Sequence, residues 1–154
     1  MLDRRQIHTV IDTLIREARI RSVSDIHITE GMPVWYRIHG CLTQARDVLK
    51  EYDIREVLLG MMNEKQRKQF EDGQDVDFAW QTTDGCRQRV NIFCEQKKIA
   101  ATIRLLNQHI PTLEELKIPT TLYQLSEEPR GIILVTGPTG SGKSTTLAAV
   151  IEAM

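Results

Sequence analysis

The sequence predicts a mixed α/β chain in two parts, an α+β domain followed by the first strand, loop and helix of a second, α/β domain. Three observations predict it. Amphipathic helices and alternating strands fill residues 2–106, and prolines at 111, 119 and 129 punctuate the stretch from Asn107 to Arg130. After that, Gly131 to Leu147 runs from an apolar tetrad, through a glycine-rich turn carrying Lys143 and Ser144, into an apolar-periodic segment.

The first element covers Leu2 to Arg21. Ile7, Val10, Ile11, Leu14, Ile15 and Ala18 fall on one helical face, with Arg4, Asp12, Arg16 and Arg19 off it, the pattern of a helix laid on a sheet. Ser24 to Thr29 alternates as a strand, with Ile26 and Ile28 facing away from Asp25, His27 and Thr29. Gly31-Met32-Pro33 is a turn, Val34 to His39 alternates again, and Gly40 turns the chain into Cys41 to Ala45. Two helices follow. Asp53 with Glu56 and Asn63 with Gln66 form capping boxes at their starts, and the second helix ends near Gly73 with a charged, solvated surface.

Asp75 to Gln81, Cys86 to Glu95 and Lys98 to Leu106 read as three consecutive strands, with Asp84-Gly85 as a hairpin turn. Val90, Ile92 and Cys94 share one side of the middle strand; Arg87, Arg89, Asn91 and Phe93 share the other. Pairing these strands as neighbours puts Arg87, Arg89 and Arg104 on one polar face. Two readings stay open there: ion pairs with Asp75 and Asp77, or guanidinium forks presented to a phosphate. Between Asn107 and Arg130, Thr112 with Glu115 caps a short turn to Leu116, and a helix spans Pro119 to Leu125.

Gly137, Gly142, Lys143 and Ser144 stand at the spacing of the Walker A phosphate-binding loop. The context agrees: Ile132 to Val135 has the continuous apolar character of a strand buried on both faces, and Thr145 to Met154 carries Leu147, Val150, Ile151 and Met154 at helical spacing. Gly137, Gly140 and Gly142 can adopt positive φ and bring bare backbone close to a ligand. The loop amides, Pro138, Thr139 and Ser141 included, would then form a nest for phosphate oxygens, reinforced by the positive end of the following helix. Lys143 would reach the β- and γ-phosphates of ATP and the Ser144 hydroxyl would hold Mg²⁺. The bland alternative is a glycine-rich strand-to-helix turn that binds nothing.

Composition narrows the rest. A 41% hydrophobic, 27% charged chain of 154 residues with net charge −1 gives no support for nucleic-acid or membrane-surface binding. No apolar run approaches the ~20 residues of a transmembrane helix, and the charged N-terminus is unlike a signal peptide. Cys41, Cys86 and Cys94 are odd in number without C-x-x-C spacing, and His8, His27, His39 and His109 are scattered. That suits reduced thiols in the cytoplasm better than disulfides or zinc.

Several stretches together resemble one family, the secretion ATPases of type II secretion and type IV pili, and most of all its pilus-retraction (twitching-motility, PilT-like) branch. They are Ser24-Asp25-Ile26-His27, Arg37-Ile38-His39-Gly40, Asp75-Val76-Asp77-Phe78, Arg89-Val90-Asn91-Ile92-Phe93, Arg104-Leu105-Leu106, Ile110-Pro111-Thr112-Leu113-Glu114-Glu115-Leu116 and Gly137 to Leu147. The resemblance implies a PAS-like N-terminal domain over 1–106, a linker over 107–130, and the start of a RecA-like ATPase domain over 131–154. It also implies a hexameric ring, an inner-membrane platform protein as partner, and hinge-type coupling of ATP hydrolysis to movement between domains. Arg89 and Arg104 match arginines that reach the γ-phosphate in such proteins, and Thr145 matches an α-phosphate contact; Arg87 is left unassigned.

The chain starts at the first helix of this region, without the additional N-terminal domain of the assembly and secretion branches. The acidic Walker B segment, the second acidic motif and the histidine motif would lie beyond Met154. The expectation is therefore the ATP-binding part of a Mg²⁺-dependent motor, cytoplasmic and peripheral to the inner membrane, that does not hydrolyse ATP by itself. Without neighbouring strands, the segment from Gly131 onward is expected to be mobile or ordered against a second copy. The rival reading is a short non-catalytic module that docks on a secretion ATPase ring or platform.

Overall fold

Asp3 starts the first helix. Its carboxylate accepts the Gln6 amide at 2.7 Å while the Gln6 side chain accepts the Asp3 amide at 2.8 Å, a closed capping box that opens α1 (Arg4–Ile20). The structure, a computed structural model, describes every residue except 1, 46–48, 107, 108, 120, 129, 139, 140 and 154; of 125 and 126 it describes the backbone only. The residues fall into two units, Met1–Leu106 and Asn107–Met154.

In the first unit α1 is followed by β1 (Val23–Thr29), β2 (Trp35–Ile38), β3 (Cys41–Gln44), α2 (Ile54–Met61), α3 (Glu64–Glu71), β4 (Val76–Gln81), β5 (Arg87–Glu95) and β6 (Lys98–Leu105). The strands form one six-stranded antiparallel sheet in the order β3-β2-β1-β6-β5-β4. Its centre is the β1–β6 pair, in which Ile26 lies opposite Ile103 and Ile28 opposite Ala101. Those residues, with Tyr36, Val76, Trp80, Val90, Ile92 and Ile99, form the apolar sheet face buried against α1 and α2. Burying each large aliphatic side chain there contributes about 1.5–3 kcal/mol. Because side chains alternate across a strand, the same register sends Asp25, Arg89, Asn91, Thr102 and Arg104 to the opposite face.

The expected face of α1 is buried in full, and Asp12, expected off that face, is buried with it. The reason is a long-range cap: Asp12 Oδ2 accepts the Thr83 amide at 2.9 Å, fixing the β4–β5 turn to the helix. That turn spans Thr82–Gly85, with Gly85 at φ +85° as the Asp84-Gly85 signal requires. The Asn63–Gln66 box at α3 closes as expected. At α2 Asp53 accepts the Arg55 and Glu56 amides, and the Glu56 carboxylate accepts the Leu2 amide; the expected box is seen only in its Asp53 half. Gln88, on the buried face between Val90 and the strand end, is wholly enclosed; its Oε1 accepts the Leu106 amide at 3.1 Å.

In the second unit Thr112 and Glu115 form the reciprocal box expected of them, and Glu115 also bonds His109 Nε2 at 2.9 Å. The Thr112 amide and the His109 ring hold the Glu115 carboxyl below its usual range. α4 (Thr121–Ser126) begins two residues after the predicted start at Pro119, and α5 (Lys143–Glu152) begins two before the predicted Thr145. The predicted strand at Ile132–Val135 does not form. Among the described residues its backbone has no ladder partner, and Ile132, Ile133 and Leu134 are 86%, 51% and 79% exposed. An apolar tetrad becomes a buried strand only where neighbouring strands and covering helices are supplied. The α5 face expected to be apolar and covered is largely open for the same reason: Leu147 and Ile151 are exposed and Ala149 is buried. Met154, the last residue predicted for that face, lies outside the described residues.

Candidate functional site

Two glycines of the Walker-type stretch adopt the backbone that glycine permits. Gly137 has φ +151° and Gly142 φ +88°, both in the region that favours glycine. A Cβ at Gly137 would meet Ser141 Oγ at 2.8 Å, so the close fold of the loop also depends on that glycine. Gly142 is the N-cap of α5 and supplies no side-chain acceptor. Among the described residues, the amides of Lys143, Ser144 and Thr145 therefore have no hydrogen-bond partner, while the Thr146 amide bonds Gly142 O at 2.9 Å. Lys143 folds back over the loop, its Nζ donating to Gly137 O at 2.7 Å and to Pro138 O. Ser144 and Thr145 are exposed in the first turn. Thr139 and Gly140 lie outside the described residues.

This donor set fits a phosphate chain with its magnesium ion. First-turn amides without a partner among the described residues, together with the helix dipole, favour an anion. Lys143 sits on carbonyls that hold it weakly compared with a phosphate charge. A serine hydroxyl at the second helical position is the oxygen such an ion takes.

The second cluster lies on the open face of the six-stranded sheet. Arg89 and Arg104 are direct cross-strand partners, and Asp77, Arg89, Asn91, Thr102 and Arg104 line one shallow depression there. Arg89 grips Asp77 through Nε at 3.0 Å and Nη2 at 2.7 Å, the ion pair that residue types alone had left open. Arg104 pairs instead with Asp25, Nε to Oδ1 at 2.9 Å, a partner that sequence reasoning missed. Asp75 and Arg87 form no ion pair among the described residues, although Arg87 lies on the same face at the start of β5.

Asp25 is the buried charge of this face. Burial pushes its carboxyl up, but hydrogen bonds from Arg104 and Ser24 and the Arg104 charge outweigh that and leave it below the usual carboxylate range. The Arg89 hydrogen bond lowers Asp77 as well. His27, one step along β1, is pushed down by burial and by Arg37, against a smaller opposing pull from Asp25. The only sequence signal for Asp25 was its outward place in the strand alternation and its presence in the Ser24–His27 stretch.

Comparison with known proteins places this chain. The profile of the type II/IV secretion system protein family matches residues 1–154. The type IV pilus retraction ATPase PilT of Pseudomonas aeruginosa is 36% identical over 143 residues, which cover 92% of this chain and 42% of the relative. A twitching motility protein of Neisseria gonorrhoeae is 38% identical over 143 residues, 91% of this chain and 38% of its own length. A crystal structure of the pilus retraction motor PilT with bound ADP superposes with a TM-score of 0.79 at 37% identity, covering 93% of this chain and 42% of that one. The chain thus spans about two fifths of the length of these relatives. The described helices include none long and apolar enough to cross a membrane. The chain belongs to the type II/IV secretion system protein family, the family of pilus and secretion ATPases.

Proposed function

We propose that this chain is the ATP-binding part of a hexameric motor ATPase that powers type IV pilus retraction or a related type II secretion step. In this reading residues 1–106 are a PAS-like domain, 107–130 a linker and 131–154 the start of a RecA-like ATPase domain. The observation that carries it is the loop ahead of α5: two left-handed glycines, uncapped first-turn amides and Lys143 folded over the loop carbonyls.

Gly137, Pro138, Thr139, Gly140, Ser141 and Gly142 cradle the phosphates in this reading. Lys143 exchanges its two carbonyl contacts for the β- and γ-phosphates, Ser144 holds Mg²⁺, and Thr145 contacts the α-phosphate. Arg89 and Arg104 sense the γ-phosphate from the sheet face. Mg²⁺, held by the Ser144 hydroxyl, would neutralise phosphate charge. These residues bind and orient; the acid that would orient the attacking water is not among them, so the 154-residue chain holds nucleotide without turning it over. Placement in the cytoplasm against an inner-membrane platform protein belongs to the same reading.

The test is binding of a fluorescent ATP derivative by the purified chain in the presence of Mg²⁺. Lys143→Ala should weaken it at least tenfold, because a charge-assisted contact is removed. Equal binding by both proteins defeats the reading, and steady phosphate release abolished by the same substitution defeats its non-hydrolysing part.

A further inference from the structure

The starts of α1 and α3 carry charges of the disfavoured sign. The positive end of a helix dipole favours acidic side chains in the first turn and disfavours basic ones. Yet α1 opens with Arg4 and Arg5 and has no acid in its first turn. In α3 Lys65 follows Glu64, and Arg67 comes directly after the capping Gln66. The two capping boxes close through Asp3 with Gln6 and Asn63 with Gln66, without help from these cations. The side chains of Arg4 and Lys65 have no hydrogen bond or ion pair among the described residues. Local rules broken without a compensating contact point to function.

Three of the cations meet at one place. Arg4, Lys65 and Arg67, all exposed, line an open groove of about 650 Å³ between the two helix starts, and Glu64 is the one carboxylate among its lining residues. The floor is apolar. Ile7 and Met62 are 3% and 4% exposed, and Ile7 Cδ1 takes the space that a Cβ at Gly60 would fill, so α1 lies directly on α2 there. Arg67 donates Nε to Leu59 O at 2.8 Å, which anchors its guanidinium and leaves the terminal nitrogens without a partner among the described residues.

A cleft lined by one sign of charge concentrates ligands of the other sign. The whole chain has a net charge of −1, so attraction of an acid would belong to this groove and not to the molecule at large. A compact anion would answer the cations and leave the apolar floor in water; a neutral apolar guest would do the reverse. Carboxylates on either side of an aliphatic side chain answer both. We propose that the groove between the starts of α1 and α3 docks an acidic segment of a partner protein, its carboxylates on Arg4, Lys65 and Arg67 and an aliphatic side chain over Ile7 and Met62. Docking there involves the first unit alone and is independent of nucleotide binding.

The experiment is fluorescence anisotropy of a fluorescein-labelled peptide, glutamates around one central leucine, titrated with the whole chain at about 0.1 M salt, where the Debye length is about 10 Å. Arg4→Glu and Lys65→Glu should each raise Kd about tenfold, because each sets a like charge against the peptide. Arg16→Glu changes the net charge equally on an exposed turn of the same helix, about 18 Å from Arg4, and should leave Kd within about twofold. Replacing the leucine of the peptide by serine should weaken binding about threefold to tenfold. Both groove reversals put an acid where the dipole favours one, so their urea midpoints should hold or rise. A merely structural role for the cations predicts that binding and midpoint fall together, and that result overturns the proposal. So does absence of binding by the unsubstituted chain, an equal loss from Arg16→Glu, or indifference to the serine peptide. Displacement of the peptide by a few equivalents of inorganic phosphate at constant ionic strength would mark a compact-anion site and overturn it as well. A dimer in sedimentation that Arg4→Glu dissolves would make a second copy the occupant, against the proposal.

Discussion

Two apolar stretches of the molecule have similar composition and opposite fates. In β6, Ile99, Ala101 and Ile103 are at most 2% exposed, while Ile132, Ile133 and Leu134 are 51–86% exposed. Both are rich in β-branched and aliphatic residues. What separates them is that β6 has β1 on one side and β5 on the other, with helices over its inner face, whereas 132–135 has no ladder partner among the described residues. Local propensity proposes a strand, and neighbours make one.

Amide hydrogen exchange should separate these stretches most widely. The β6 amides at the sheet centre should exchange only through global unfolding, and those of Ile132–Val135 faster by several orders of magnitude. Strong protection at 132–135 in a strictly monomeric chain would break the comparison and mean that some part of the chain covers it. Protection that grows with protein concentration would identify a second copy as the cover.

Core truncation gives the next largest contrast. Leu14 is fully buried in α1, and Leu14→Ala should cost about 2–5 kcal/mol in urea unfolding. Ile132→Ala removes the same number of carbons from an exposed site and should stay within about 0.5 kcal/mol of the parent. Similar losses from both would show that Ile132 is packed in solution.

The same contrast explains what could be read beforehand. The α1 face, the Asn63 and Thr112 boxes and the Asp84-Gly85 turn are set by residues within a few positions of each other, and each is present as the sequence implied. Gly137 and Gly142 likewise take the positive φ that glycine permits. Asp25 joins Arg104 across 79 residues, and Asp12 caps Thr83 across 71. Such contacts follow from the pairing of β1 with β6 and the seating of α1 on the sheet, which alternation within each strand does not specify. The exposure of Ile132–Leu134 agrees with the expectation for an apolar run without neighbouring strands, since the run itself carries no record of which partners are present.

Acid should expose the difference between the two carboxylates on the arginine face. Asp25 has a folded-state carboxyl held low, chiefly by Arg104 and Ser24 against the upward push of burial. A group depressed on folding contributes stability that is present above its unfolded value, near 3.9 for aspartate, and is lost as pH falls through the folded value. Stability should therefore decline below about pH 4, and Asp25→Asn should flatten part of that decline while costing about 1.5–3 kcal/mol at pH 7. Asp77 is shifted the same way by Arg89 but is far more exposed, so Asp77→Ala should cost at most about 1 kcal/mol and less in high salt. Urea midpoints at pH 7 and pH 3 check both.

The smallest effect concerns the turn that joins β5 to β6. Gln96 and Lys97 both have positive φ, 49° and 66°, between the paired residues Glu95 and Lys98. That is the two-residue hairpin geometry for which Asn-Gly is preferred, because asparagine tolerates the left-handed region and glycine has no Cβ to strain. Gln96→Asn with Lys97→Gly relieves strain at both positions, and the extra freedom that glycine gives the unfolded chain offsets part of the gain. The net expectation is about 1 kcal/mol of added stability, seen as a higher urea midpoint with an unchanged slope. The gain belongs to global unfolding, so amide protection should rise along β5 and β6 and stay the same at Ile132–Val135, whose exchange needs no sheet to open. If protection at 132–135 rises in step, the segment is coupled to the sheet, and the division between a neighboured strand and an unpartnered one no longer holds.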